Sequence, residues 1–208
     1  VMRSVVDLPK IFAVFQNVLI VSGTLFIYIG FMKFLGRKEN KLTLLLIFGF
    51  FIVPFLYFLF IEDAIRFRSG IINAALAFIA FFTVISFYKY KTKPISSSAN
   101  FISTVFVIHG VVFAYIGIEA FFIKESYVLF LPAYLGLLQL FDALIVGLLW
   151  TFGLVMMVNQ RLNYEMKEAM EHFEQIFNTS PDAAIITTLN EGIVTDLNEG
   201  YTKITGYK

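Results

Sequence analysis

The sequence predicts an all-α polytopic membrane helix bundle of about five spans, followed by a polar linker helix and the beginning of a small α+β module. Three observations predict it. First, the 208 residues are 59% hydrophobic and only 15% charged, with mean hydropathy +0.80. Soluble domains sit near half apolar and a quarter charged, so this excess cannot be hidden in one soluble core. Second, the apolar residues gather into runs close to the ~20 residues that cross a hydrocarbon core. Third, composition changes abruptly after Val158, from uncharged Leu148-Leu-Trp-Thr-Phe-Gly-Leu-Val to charged Arg161-Leu-Asn-Tyr-Glu-Met-Lys-Glu.

The expected spans are 11–32, 42–61, 71–88, 101–123 and 137–158, which together form a membrane bundle over 1–158. The second contains Pro54, and the third is short. The stretch Ser126 to Gln160 is too long for one upright helix. Two readings stay open there: an interfacial segment Tyr127–Gly136 followed by the span, or one long kinked helix. Lys and Arg in short loops set orientation. The first loop carries Lys33, Arg37, Lys38 and Lys41, and the third Lys89, Lys91 and Lys93. In the second loop Glu62 and Asp63 offset Arg66 and Arg68, and the fourth has only Lys124. The first and third loops are therefore expected in the cytoplasm, with residue 1 outside and Arg161 onward inside.

Ionisable groups inside spans are costly and point to function. His109 falls near the centre of the fourth span, Glu119 near its outer end, and Asp142 inside the fifth. They are the candidate intramembrane sensing residues, lining an outward-opening ligand or proton pocket between helices four and five. The bland alternatives are a snorkelling Glu119, a hydrogen-bonded packing His109, and a span that begins beyond Asp142. Gln16 and Asn17 are expected to bond between helices. Gly110 with Ala114, and Gly147 with Thr151, are expected at close helix contacts.

Over 159–177, Leu162, Met166, Ala169, Phe173 and Ile176 recur at alternating steps of four and three, with Glu and Lys between them. That is a two-heptad apolar seam, suited to a parallel homodimer or to packing on the helix's own domain. Ser180-Pro181-Asp182 breaks the helix. Ala183–Thr188 and Ile193–Asp196 read as strands about an Asn190-Glu-Gly192 turn, and Asn198 can cap a helix from Glu199 to Ile204.

The ordered set Ser180, Pro181, Asp182, Gly192, Asn198, Thr205, Gly206 and Tyr207 resembles the opening of a PAS domain. It departs from the pattern only where Asn190-Glu191 precedes the turn glycine. The resemblance covers about the last 35 residues, so 178–208 is expected to be the N-terminal part of that domain, cut short. Gly30–Lys38, Leu56–Phe58 and Thr151–Leu162 more loosely resemble the input regions of bacterial membrane sensors. Such proteins carry a PAS domain and then a diguanylate cyclase (GGDEF) or sensor histidine-kinase output. The resemblance implies an inner-membrane protein with a cytoplasmic C-terminus, passing an environmental signal from an unknown small ligand to a missing output domain. The chain opens on Val1 and is expected to be a piece of a longer protein. A transporter or channel with a regulatory tail is the alternative.

No catalytic motif or metal-ligand cluster is visible, and the absence of cysteine excludes disulfides and thiolate chemistry. Net charge +1 points to no nucleic-acid partner. A PAS domain can hold haem or flavin, but the cofactor is unknown and none is supported by these residues.

Overall fold

The computed structural model describes residues 10–122 and 133–207. Among them are six α-helices: α1 Lys10–Phe34, α2 Lys41–Phe60, α3 Ile65–Tyr90, α4 Ser96–Phe122, α5 Ala133–Thr179 and α6 Glu199–Thr205. A short 3-10 turn precedes α4, and the strands β1 Ile185–Thr187 and β2 Val194–Leu197 lie between α5 and α6. The first five helices are long and apolar enough to cross a membrane. The chain divides at Met157/Val158 into two compact units, each described by itself.

In the first unit, α3 is the central helix. Buried residues make up 56% of its most apolar window, against 17% for α1 and for α2. Small residues let α4 approach it. A Cβ at Gly117 would sit 3.5 Å from the Gly70 carbonyl oxygen, and one at Gly110 would lie 2.9 Å from the Phe81 ring. Close backbone approach through small residues substitutes for hydrophobic drive where the surroundings are themselves apolar.

Two apolar clusters fill the interior. One joins α1, α2 and α3 through Val21, Tyr28, Phe51, Phe55 and Ile79. The other joins α1, α3, α4 and α5 through Phe31, Phe87, Ile102, Phe106 and Met157. The outward surface is just as apolar: Phe50 is 87% exposed, Leu148 75% and Phe26 69%. Pro54 lacks the N–H that would bond one turn back, at Phe50. Beside it an apolar groove of about 550 Å³ opens between α2 and α3.

The helices extend past the apolar runs, because helix hydrogen bonding continues into polar sequence while hydropathy does not. Thus α3 starts at Ile65, taking Arg66 and Arg68 into its first turn. Asn40 caps α2, its side-chain oxygen accepting from the amides of Leu42 (3.0 Å) and Thr43 (3.4 Å). The described part of α5 begins at Ala133. The choice between one helix and two over 126–158 therefore falls partly on residues outside those described.

In the second unit, β1 and β2 pair antiparallel, with Ile185 opposite Leu197 and Ile186 opposite Asp196, and the register shifts before Thr187. Gly192 takes φ +64° in the connecting turn and Gly206 φ +76° at the end of α6. Both are left-handed conformations that glycine adopts without strain.

Candidate functional site

His109 sits mid-way along α4 and Asp142 near the start of α5, and the structure brings them together. His109 Nδ1 lies 2.6 Å from Asp142 Oδ2. Asp142 is buried and His109 mostly so, with side-chain exposures of 5% and 14%. The imidazole packs edge-on to Phe113, ring centres 4.6 Å apart, and Phe106 lies 6.1 Å away. Two phenylalanine rings flank this largely buried polar pair, so separating the two groups without supplying new partners is costly.

Glu119 does not join them. It lies ten residues further along α4, about 15 Å along the axis at 1.5 Å per residue, half-buried beside Tyr115.

Close contact between α5 and α4 falls at Gly153 rather than at Gly147. A Cβ at Gly153 would be 2.5 Å from Ile102, whereas Gly147 has nothing within 4 Å. The Thr151 hydroxyl donates to the Gly147 carbonyl within its own helix, 2.7 Å. Asn17 likewise bonds within α1, to the Ala13 carbonyl at 2.8 Å, rather than to a neighbouring helix. A side chain one turn from a free carbonyl lone pair satisfies itself locally and needs no partner helix. Sequence reasoning missed Asn73. It is 2% exposed on α3, donates to the Ser69 carbonyl, and leaves its Oδ1 without a hydrogen-bond partner. Its position inside an apolar run was the available signal.

The seam residues Leu162, Met166, Ala169, Phe173 and Ile176 all lie on α5 and are all exposed, from 54% at Phe173 to 71% at Met166 among the four large ones. Charged pairs run alongside, Arg161–Glu165 at 2.8 Å and Lys167–Glu171 at 3.6 Å. The Phe173 and Phe177 rings stack with centres 5.9 Å apart.

Beyond the helix, Asn198 is fully buried and forms a hub. Its side-chain oxygen accepts from the amides of Ala184 (2.9 Å) and Tyr201 (2.8 Å). Its amide nitrogen donates to the carbonyls of Phe177 (3.0 Å), Asp182 (2.8 Å) and, more weakly, Ser180 (3.4 Å). One side chain thereby ties the last turn of α5, the Ser180-Pro181-Asp182 turn, the approach to β1 and the first turn of α6. Gly200 makes room for it, since a Cβ there would be 2.4 Å from the Asp182 carbonyl oxygen. Gly206 closes α6 and Tyr207 is exposed.

This helix, turn, hairpin and capped helix is where the comparison with known families falls. Residues 171–208 match the family model of the PAS domain. No curated protein and no solved structure matches the chain. The chain thus combines five helices long and apolar enough to cross a membrane with a C-terminal segment of PAS type, a type that suggests signal sensing.

Proposed function

We propose that this chain is a membrane sensory input module. A cue reaching the bundle shifts α5 relative to α4, and the helix carries that shift to the PAS segment and onward to an output domain of the diguanylate cyclase or histidine-kinase class. The observation that carries this reading is the continuity of α5. A single helix, Ala133–Thr179, holds Asp142 in its contact with His109 and ends in the turn whose carbonyls Asn198 gathers.

The mechanism needs two arrangements of α5 with different affinity for the cue. The His109–Asp142 pair supplies a discrete contact for the cue to make or break. An unidentified small ligand, or a proton, competing for either group would act there. The exposed seam of Leu162, Met166, Ala169, Phe173 and Ile176 fits a second copy of the helix, so the working unit is a parallel homodimer in the bacterial inner membrane with its C-terminus in the cytoplasm.

These 208 residues hold no cysteine, so the test introduces single cysteines here, with any cysteine elsewhere in the protein replaced by serine. Single cysteines placed along α5 in the full-length, membrane-inserted protein should cross-link efficiently at 162, 166, 169, 173 and 176 and poorly at 165, 168 and 171. Leu162→Asp or Met166→Asp should abolish both cross-linking and signalling while leaving insertion intact. Normal signalling in those variants would sink the relay.

A further inference from the structure

The two ends of the bundle differ in how many of their cations are paired and exposed: at one end Arg66 is partly buried over the Phe67 ring, 4.8 Å from its centre, while its neighbours Lys10 and Arg68 share a carboxylate. Lys10 reaches Asp63 at 3.1 Å and Arg68 reaches the same carboxylate at 2.9 Å, so Asp63 offsets both. Lys10 also donates to the Leu59 carbonyl, 2.9 Å, which fixes the start of α1 beside the end of α2. At the other end stand Lys33, Arg37, Lys38 and Lys41 around the α1–α2 connection. Lys89, Lys91 and Lys93 stand around the α3–α4 connection. None of these seven takes part in an ion pair among the described residues, and Glu39 is the one carboxylate in the two connections.

The fold brings these two connections, far apart in sequence, to one place. The Phe31 and Phe87 rings meet at 4.9 Å just below them. The Arg37 guanidinium then lies over the Tyr90 ring, 5.2 Å from its centre. Lys89 lies over the same ring at 5.2 Å and Lys91 over Tyr88 at 4.7 Å. Lys91 also donates to Asn100. Tyrosines at the ends of apolar helices belong at headgroup depth. A guanidinium lying over an aromatic ring keeps its in-plane N–H fork free for a phosphate.

We propose that this end of the bundle is a binding surface for anionic phospholipid headgroups, with Arg37 on Tyr90 as its phosphate-gripping centre and the lysines of both connections around it. Charge complementarity selects the occupant: an unpaired cationic cluster at headgroup depth meets the phosphodiesters of an anionic leaflet. The inference rests on the membrane reading above but not on the relay through α5. It also goes beyond orientation, which loop charge alone can set.

The full chain in nanodiscs of phosphatidylcholine with about one quarter phosphatidylglycerol provides the test, reading the phosphatidylglycerol that the protein holds by spin-labelled lipid partitioning. Wild type should prefer phosphatidylglycerol. Arg37→Gln should lower that preference roughly fivefold, the weight of one juxtamembrane cation. Arg37→Lys and Tyr90→Leu keep the net charge, and each should still lower it by about threefold or more, because the fork or its platform is lost. Arg68→Gln, at the other end, should leave it unchanged. No preference in wild type, or wild-type preference in both Arg37→Lys and Tyr90→Leu, overturns the proposal. So does full displacement of the lipid by millimolar inorganic phosphate, which would make this a site for the free ion. Failure of the chain to float with the nanodiscs would overturn the membrane reading, and this inference with it.

Discussion

The side-chain amide of Asn198 donates to the carbonyl oxygen of Phe177 at 3.0 Å, fastening the cap of α6 to the last turn of α5. The same amide donates to Asp182, while the side-chain oxygen caps α6 and holds Ala184. Donor and acceptor halves of one residue thus serve different neighbours, and they can be separated by mutation.

Asn198→Asp keeps the acceptor for Ala184 and Tyr201 but turns the donor into a second acceptor facing three carbonyls. Amide exchange in the full chain should show the final turn of α5 and residues 180–182 losing protection while the Tyr201 amide keeps it. Asn198→Ala removes both halves and should destabilise the segment by about 2–4 kcal/mol, the sum of a lost cap and stranded buried partners. Equal loss of protection everywhere in Asn198→Asp would show that the two halves do not act separately.

Gly200→Ala places a methyl 2.4 Å from the Asp182 carbonyl oxygen and 2.8 Å from that of Ser180, both backbone atoms that cannot rotate away. The expected cost is about 1–3 kcal/mol of overpacking, together with faster exchange at the Tyr201 amide. Gly192→Ala meets open space but must hold φ +64°. Its cost of about 1–2 kcal/mol should come from the turn alone, leaving Tyr201 protected. Local exchange tells the two apart even where the melting temperatures do not.

These residues mark how far the sequence could be read. Five long apolar helices follow from composition, because lipid-length hydrophobicity needs no knowledge of partners. The cap at Asn198 follows from its place before Glu199. Its three donor bonds do not, because they depend on how the Ser180-Pro181-Asp182 turn folds back over α6. His109 and Asp142 each stand out as ionisable residues in apolar runs. Their contact depends on the relative register of α4 and α5, which periodicity within one helix does not encode. Gly147 and Gly153 look alike in sequence, and only the facing Ile102 decides that Gly153 is the contact. Asn17 finds its acceptor in its own backbone one turn back, which a polar residue in an apolar run does not distinguish from a partner helix.

Asp63 makes one bundle end acid-sensitive. The Lys10 hydrogen bond holds its carboxyl below the ordinary value, with the Lys10 and Arg68 charges acting the same way and partial burial opposing them. A carboxyl depressed in the folded state stabilises above the unfolded pKa and loses that contribution as pH falls through the folded one. Thermal scans should show wild type losing stability from about pH 4 downward, with Asp63→Asn losing less over that range. The difference should be small, because Asp63 is 57% exposed and exposed ion pairs are weak. It should shrink further in high salt. Identical acid profiles for the two proteins would show that the contacts at Asp63 carry no stability.

The His109–Asp142 contact predicts strong coupling between two helices. Asp142→Leu leaves a buried imidazole without its partner, and His109→Leu leaves a buried carboxyl. Each single change should cost about 3–5 kcal/mol, because an unpaired polar group in an apolar site keeps its full desolvation penalty. The double change removes both groups and fills the space among Phe106 and Phe113 with side chains that need no partner, so it should cost much less than the sum and approach wild type. The coupling energy of that cycle, measured by unfolding in detergent, should exceed 1 kcal/mol. If α5 also carries the signal, the double variant should be stable yet unresponsive to the cue, since a contact that cannot be made or broken gives the cue nothing to act on. Additive single costs would mean that the two groups stand near each other without holding the helices together.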